Sequence, residues 1–305
     1  MRVKSFARHR TQASAVGEQG EPVPRLQPDA SALPAVATAQ PHRRPAFGVR
    51  AAALPVARSI GRVAVIQVHE LRLMATLAAM APLGHVGRRL SGSVGVLVPR
   101  AAPIESTARP VLLVHGLAGT TSGWFVLARA LREKGMTVSA VEYRPFGNSV
   151  EQLAGRLAVR VAALLAETGA DKVHLVGHSL GGVVIAQALA DGLLTGKVDT
   201  VVTIASPFGG SPWASLLPVG ATVRALRNGS PLLRLLSLAP VPHGVQWLAI
   251  RASADMIVPG SRSVPAQTEV ATMAVDGVGH IGLLLNPQVV GSIVAALPTH
   301  EQAVA

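Results

Sequence analysis

One short motif in this sequence combines a hydroxyl group with the backbone geometry that would make it a nucleophile. Gly177-His178-Ser179-Leu180-Gly181 is the only match to the pattern G-x-S-x-G in the chain. An apolar run ends at Val176 directly before it, and a helix rich in small residues is predicted directly after it. A serine on so sharp a strand-to-helix turn has strained torsion angles and projects its oxygen above the sheet. The motif therefore predicts a nucleophile at Ser179, with glycines where a Cβ would collide with the neighbouring strand and helix.

A second motif follows an earlier apolar run and predicts the donors for an oxyanion. His115-Gly116-Leu117-Ala118-Gly119 comes directly after the run from 111 to 114. Acyl transfer to a serine needs N–H groups aimed at the oxygen of the tetrahedral intermediate. The backbone N–H of Leu180, the residue after the serine, is one candidate. Gly116 would let the loop approach closely enough for the N–H of Leu117 to be the second.

The order strand, H-G-x-x-G, helix, strand, helix, strand, G-H-S-L-G-G resembles the α/β-hydrolase fold over roughly residues 108–298. Within that fold it is similar to the bacterial lipases and related lipid-ester hydrolases. The resemblance implies a triad in the order nucleophile, acid, histidine, with the acid after a late strand and the histidine after the last one. Asp255 and His280 occupy these places. The expected catalytic residues are Ser179, Asp255 and His280, and the expected reaction is ester hydrolysis through an acyl-enzyme.

Other acids and histidines offer alternatives for the same roles. Asp276 is a second candidate acid, four residues before His280, whereas Asp199 begins a strand, at the wrong end of a parallel sheet for catalysis. His178 is expected to pack or form hydrogen bonds beside the serine, and His115 to hold the oxyanion loop. The remaining histidines are expected to be ordinary core or surface residues, including His174 and His243.

The stretch between the serine half of the chain and the acid is where this fold places the wall of an acyl pocket. Residues 205–245 contain Trp213 and an apolar helical stretch with Leu232 and Leu236. These three are the candidate substrate-binding residues, although the helix could equally belong to the core. The pair Gly116-Leu117 resembles the oxyanion loop of enzymes that act on medium- to long-chain esters.

The expected substrate is therefore a lipid-like ester, and several activities would use the same triad. A phospholipase, a deacylase of lipid-anchored glycans, and an acyltransferase to an alcohol are the alternatives. A non-catalytic, membrane-associated module that retains the fold is the alternative from another class of protein.

The elements that must position these residues alternate between strands and helices. Short runs dominated by aliphatic residues predict strands at 111–114 and 173–176, and further strands are predicted at 137–143, at 198–204 and near 246–251 and 270–275. Helical spacing and capping residues predict helices at 123–134, from Ser149, at 180–191 and from Asn286. This alternation implies an α/β protein with a doubly wound, mostly parallel sheet.

The N-terminal third has a different composition. Residues 1–50 are rich in Pro, Ala, Arg and Gln and predict a flexible tail, and residues 51–100 predict an amphipathic helical segment before a catalytic domain at 101–305. Within 52–84, a helical wheel aligns basic side chains on one stripe, namely Arg62, His69 and Arg72. Either that stripe faces water while the helix packs on the domain, or it contacts a membrane surface peripherally.

Composition and charge exclude several classes of function. The chain contains no cysteine, which excludes disulfides, thiolate metal sites and a cysteine nucleophile. Residues 1–100 carry 14 Lys and Arg against 4 Asp and Glu, whereas residues 101–305 carry 14 against 12. Because the basic excess is N-terminal and aromatic residues make up only 3%, nucleic acid is not an expected partner.

No motif of a nucleotide cofactor or of a catalytic metal is present, so no cofactor and no metal is expected. The expected location is the cytoplasm or a membrane surface. A twin-arginine export signal at Arg43-Arg44 is a weaker alternative, because further arginines interrupt the apolar stretch behind it.

Overall fold

The computed structural model describes residues 65–68, 70, 72, 109–117, 119, 121–144, 146–216 and 220–298. In this part of the chain, six strands form one sheet in the order β2-β1-β3-β4-β5-β6, and every neighbouring pair is parallel. The strands are β1 (Val111–Val114), β2 (Val138–Val141), β3 (Val173–His178), β4 (Val198–Ile204), β5 (Gln246–Ala252) and β6 (Ala271–Val275).

Helices cover both faces of this sheet, as the apolar composition of its central strands requires. One core packs residues such as Leu112, Leu175 and Val201 against helices α2 and α3; the other packs residues such as Leu113 and Val176 against α1 and α7. The α-helices of the described residues are α1 (Phe125–Glu133), α2 (Val150–Thr168), α3 (Leu180–Ala190), α4 (Pro212–Leu216), α5 (Ala221–Ala225), α6 (Pro231–Leu238) and α7 (Pro287–Ala296). The predicted doubly wound α/β fold is confirmed.

Two helix starts follow their predicted capping chemistry. Ser149 Oγ accepts the N–H of Gln152, and the Gln152 side chain accepts the N–H of Ser149, which completes a capping box before α2. Asn286 caps α7, with Pro287 in the first turn. The helix predicted over 123–134 differs, because a 3₁₀ turn at Thr121–Trp124 precedes it and the α-helix begins at Phe125.

The described residues of the predicted amphipathic segment, 65–68, 70 and 72, are helical. Arg72 is exposed, as expected for the basic stripe, whereas Arg62, His69 and the tail over 1–50 lie outside the described residues. The domain boundaries and the membrane contact through 52–84 therefore stay predictions. Among the residues described, no helix has the length and apolar character needed to cross a bilayer.

Candidate active site

Ser179 lies between β3 and α3 with φ 53° and ψ −122°, torsion angles that are rare for a residue with a side chain. The flanking glycines allow this sharp turn. A Cβ at Gly177 would lie 2.7 Å from the backbone nitrogen of Gly182, and a Cβ at Gly181 would collide with the carbonyl oxygen of Val114. The serine itself is only partly buried, so its hydroxyl is accessible while its backbone is fixed by packing.

The loop after β1 lies directly against this serine. A Cβ at Gly116 would be 3.0 Å from the Cβ of Ser179 and 3.3 Å from Nδ1 of His178. Glycine is therefore the residue that lets the backbone pass this closely. Leu117 follows in the same loop, and Leu180 opens α3, so the two predicted oxyanion donors belong to the two segments that meet here.

The side chains of His115 and Tyr143 form hydrogen bonds with the backbone of this loop. His115 Nδ1 donates to the carbonyl oxygen of Gly116 at 2.9 Å, and the Tyr143 hydroxyl donates to the carbonyl oxygen of His115. The two rings stack with centroids 4.3 Å apart. Burial lowers the pKa of His115 and raises the pKa of Tyr143, so both side chains are neutral near pH 7. Sequence reasoning expected this role of His115 and missed Tyr143.

Asp255 and His280 form a buried hydrogen bond at the same edge of the sheet. Nδ1 of His280 lies 2.7 Å from Oδ2 of Asp255, and the two side chains are 5% and 0% exposed. A carboxylate can only accept, so Nδ1 carries the hydrogen and Nε2 is left as the acceptor. Oδ1 of Asp255 accepts the N–H groups of Ile257 and Val258, both at 2.8 Å, which fixes the carboxylate from the other side.

His178 connects the serine turn to the histidine loop. Its Nε2 donates to the carbonyl oxygen of His280 at 3.1 Å, and the two rings are 4.7 Å apart. Burial holds the pKa of His178 well below its usual value of 6.5, so this ring is neutral. The residues predicted as nucleophile, acid and base thus follow β3, β5 and β6, at the carboxyl edge of one sheet.

The rival acids do not share this environment. Asp276 is exposed and forms no hydrogen bond with His280. Asp199 lies at the opposite edge, where its Oδ1 is 2.9 Å from an Nη of Arg109.

The predicted substrate-binding residues divide into two groups. Trp213 is 49% exposed, and its Nε1 donates to the carbonyl oxygen of Met256, next to Asp255, at 3.0 Å. Leu232 and Leu236 belong to α6, are 8% and 6% exposed, and pack in the core. Trp213 therefore lies beside the acid loop, whereas the two leucines occupy the core position that the sequence left open as an alternative.

Two polar residues of the N-terminal helical segment were missed by sequence reasoning. Glu70 accepts the backbone N–H groups of Ile281 and Gly282, and Gln67 donates to the carbonyl oxygen of Ala254. One signal could have drawn attention to Glu70, since it is the only acidic residue between positions 30 and 104. Among the residues described, no group of acids and histidines is arranged to hold a metal ion.

Comparison with known proteins agrees with this architecture. Residues 109–233 match the family model described as alpha/beta hydrolase fold. A triacylglycerol lipase of Burkholderia plantarii is 33% identical over 150 residues, which cover 46% of this chain and 40% of the relative. A triacylglycerol lipase of Pseudarthrobacter phenanthrenivorans is 36% identical over 121 residues, 37% of each chain. The chain thus spans less than half the length of the curated relatives it matches.

Solved structures match over a larger part of the chain. Mature Bacillus licheniformis lipase BlEst2 aligns with a TM-score of 0.54 at 19% identity, covering 66% of this chain and 96% of that one. Aspergillus fumigatus lipase B aligns with a TM-score of 0.57 at 19% identity, covering 66% and 55%. Together with the parallel sheet and the family match over residues 109–233, these alignments show that the described domain has the α/β-hydrolase fold.

Proposed function

We propose that this protein is a serine hydrolase that cleaves lipid-like carboxylic esters through an acyl-enzyme intermediate. Ser179 is the nucleophile, His280 the general base and acid, and Asp255 the residue that orients His280. The observation that carries the proposal is the buried 2.7 Å bond between His280 and Asp255, at the sheet edge where the strained Ser179 also lies.

The reaction follows from the hydrogen-bond donors and acceptors of these groups. Nε2 of His280 takes the proton of the Ser179 hydroxyl as its oxygen attacks the ester carbonyl. The N–H groups of Leu117 and Leu180 stabilise the resulting oxyanion. Collapse of the intermediate releases the alcohol, which takes the proton from His280. Water then gives a proton to His280 as it attacks the acyl-enzyme, and cleavage of the acyl–serine bond releases the carboxylic acid and returns that proton to Ser179.

The buried Asp255 stabilises the imidazolium that forms in each step. Its Oδ1 is already occupied by two backbone N–H groups, so Oδ2 is the oxygen that faces His280. This arrangement keeps the hydrogen on Nδ1 and the lone pair of Nε2 available for the serine proton.

Apolar side chains beside the acid loop support a lipid-like substrate. Trp213, Leu216 and Met256 are 49%, 72% and 51% exposed. The hydrogen bond from Trp213 to the backbone of Met256 places two of these side chains together. Two of the matched relatives are named triacylglycerol lipases, which agrees with this substrate class. No observation favours acyl transfer to an alcohol or a non-catalytic role.

A panel of p-nitrophenyl esters from acetate to palmitate, with and without detergent, tests the substrate class. We expect kcat/KM to be higher for the longer acyl chains than for acetate. A fluorophosphonate probe, which reacts with activated serines, should label the protein once, at Ser179. Absence of both hydrolysis and labelling would refute the proposed function, and a preference for acetate would refute the lipid-like substrate alone.

A further inference from the structure

Two residues of the helical segment, Gln67 and Glu70, contact the backbone of the loops that carry the proposed acid and base. Oε2 of Glu70 accepts the N–H of Ile281 at 2.6 Å, and Oε1 accepts the N–H of Gly282 at 2.8 Å. Three residues earlier, Nε2 of Gln67 donates to the carbonyl oxygen of Ala254 at 3.1 Å. Residues three apart lie on one face of a helix, so a single face reaches the neighbours of His280 and of Asp255.

The bonds of Glu70 satisfy N–H groups that have no local partner. Ile281 and Gly282 begin the 3₁₀ turn Gly282–Leu285, and its N-cap residue Ile281 has no side chain that could accept a hydrogen bond. Glu70 supplies this cap from 211 residues away in the sequence. The residue is 6% exposed, so the carboxylate is largely withdrawn from water and depends on these donors.

Glycines on each side of His280 make this close contact possible. A Cβ at Gly279 would lie 2.5 Å from Cδ of Glu70, and a Cβ at Gly282 would lie 2.8 Å from its Oε1. The loop therefore passes directly over the carboxylate. A side chain at Gly279 would displace Glu70, since the carboxylate is the flexible end of its side chain.

We infer that Glu70 is a positioning residue that fixes the loop carrying His280, and that Gln67 assists by holding the loop of Asp255. The inference rests on the proposed function. The carbonyl oxygen of His280 is held from one side by His178, and the two following N–H groups are held from the other side by Glu70. With both contacts in place, the backbone that carries the imidazole is fixed from both sides. Without Glu70, the loop samples positions from which proton transfer is slower.

The test compares the full-length wild type with Glu70→Ala, Glu70→Gln and the matched control Val68→Ala. Val68 is on the same helical segment and is 51% exposed, so its truncation should leave kcat unchanged. Removing a partner that orients a reacting group typically costs about 10- to 100-fold in activity, and we expect a loss in kcat of this size for Glu70→Ala with KM within about threefold. Glu70→Gln should recover part of it, because an amide oxygen can accept one of the two N–H groups.

Amide hydrogen exchange provides a readout that does not depend on turnover. We expect the amides of Ile281 and Gly282 to exchange faster in Glu70→Ala while those of β3 and β4 stay as in the wild type. Faster exchange throughout the sheet would show that Glu70 stabilises the whole domain, which would overturn the inference. An active wild type with unchanged kcat in Glu70→Ala would overturn it as well, with the proposed function intact. A wild type with neither hydrolysis nor fluorophosphonate labelling would instead overturn the proposed function and the positioning role that rests on it.

Gly279→Ala tests the same contact from the other side. Because its Cβ would displace the carboxylate, we expect a loss in kcat similar to that of Glu70→Ala and no further loss in the double variant. Single losses that multiply in the double variant would show that the two residues act independently, which would contradict the inference.

Discussion

The two edges of the sheet each carry a buried histidine beside an aspartate, and only one pair has the geometry of an acid and a base. At the carboxyl edge, His280 and Asp255 are 2.7 Å apart and both are buried. At the amino edge, Nδ1 of His174 is 3.6 Å from Asp199, too far for a hydrogen bond, and Arg109 is 2.9 Å from the same carboxylate.

The difference shows that a buried histidine next to an aspartate does not always form the hydrogen bond that a catalytic pair needs. Asp199 pairs with a permanent cation, and Nε2 of its neighbour His174 donates to the carbonyl oxygen of Pro298 at 3.3 Å. Asp255 has backbone N–H groups as its other partners, so its charge remains available to His280. The strained serine turn also lies at the carboxyl edge, at which β3, β5 and β6 all end.

Removal of the Ser179 hydroxyl at the carboxyl edge should have the largest effect on kcat. We expect Ser179→Ala to lower kcat for a soluble ester by about 10⁴- to 10⁶-fold, as in other serine triads. The thermal midpoint should stay close to that of the wild type, because the alanine occupies the same turn. Steady-state kinetics and a thermal melt check both results, and substantial hydrolysis by this variant would rule out Ser179 as the nucleophile.

Matched amide substitutions compare the two aspartates directly. In Asp255→Asn, the remaining oxygen stays with the two backbone N–H groups, so the amide NH₂ faces Nδ1 of His280 and forces the hydrogen onto Nε2. That tautomer cannot accept the serine proton, and we expect kcat to fall by about 10⁴-fold.

Asp199→Asn removes the charge that Arg109 faces at the other edge. It should leave kcat unchanged and lower the free energy of unfolding by about 1–2 kcal/mol. Urea denaturation measures the second effect and ester hydrolysis the first. Equal losses of kcat in the two variants would mean that the two edges do not differ in function.

The pH dependence of stability gives the smallest expected difference between the edges. Burial lowers the pKa of both His178 and His174, but at His174 the carboxylate of Asp199 opposes this shift. Each ring is neutral in the folded state, whereas the unfolded chain takes up a proton near the usual pKa of 6.5. The stability due to each neutral ring is thus complete above pH 6.5 and is lost progressively as the pH falls below that value.

Thermal melts between pH 7.5 and about pH 5 test this expectation. The variant His178→Gln should reduce the acid-induced fall of the midpoint more than His174→Gln does, because the pKa of His178 is lowered further. An equal or larger reduction in His174→Gln would contradict the comparison.

Sequence patterns predicted the sheet, and they indicated the candidate site residues, because most of the signals for both are local. An apolar run, a capping serine or a glycine-flanked serine is contained in a few neighbouring residues, and β4 begins and ends at the predicted residues. Even the order of acid and histidine came from a resemblance to a family with a fixed chain order. The start of α1 was less well predicted, because the residues of the preceding 3₁₀ turn also fit a helical pattern.

The contacts that sequence reasoning missed join residues far apart in the chain. Nothing near Glu70 indicates that its carboxylate accepts hydrogen bonds from positions 281 and 282, and nothing near Tyr143 indicates that its hydroxyl reaches the backbone of His115. The helical wheel aligned the basic residues of this segment on one stripe. It gave no indication of a hydrogen-bond partner for Glu70, because that partner lies far away in the sequence.

The long separation between Glu70 and the histidine loop has a consequence for biosynthesis. A ribosome adds roughly 5–20 residues per second, so the 211 residues from Glu70 to Ile281 take on the order of 10–40 seconds to translate. The proposed oxyanion loop and Ser179 are both translated within that interval, whereas His280 is added only at its end. A chain interrupted before β6 would therefore carry the serine turn but not the residue proposed as its base.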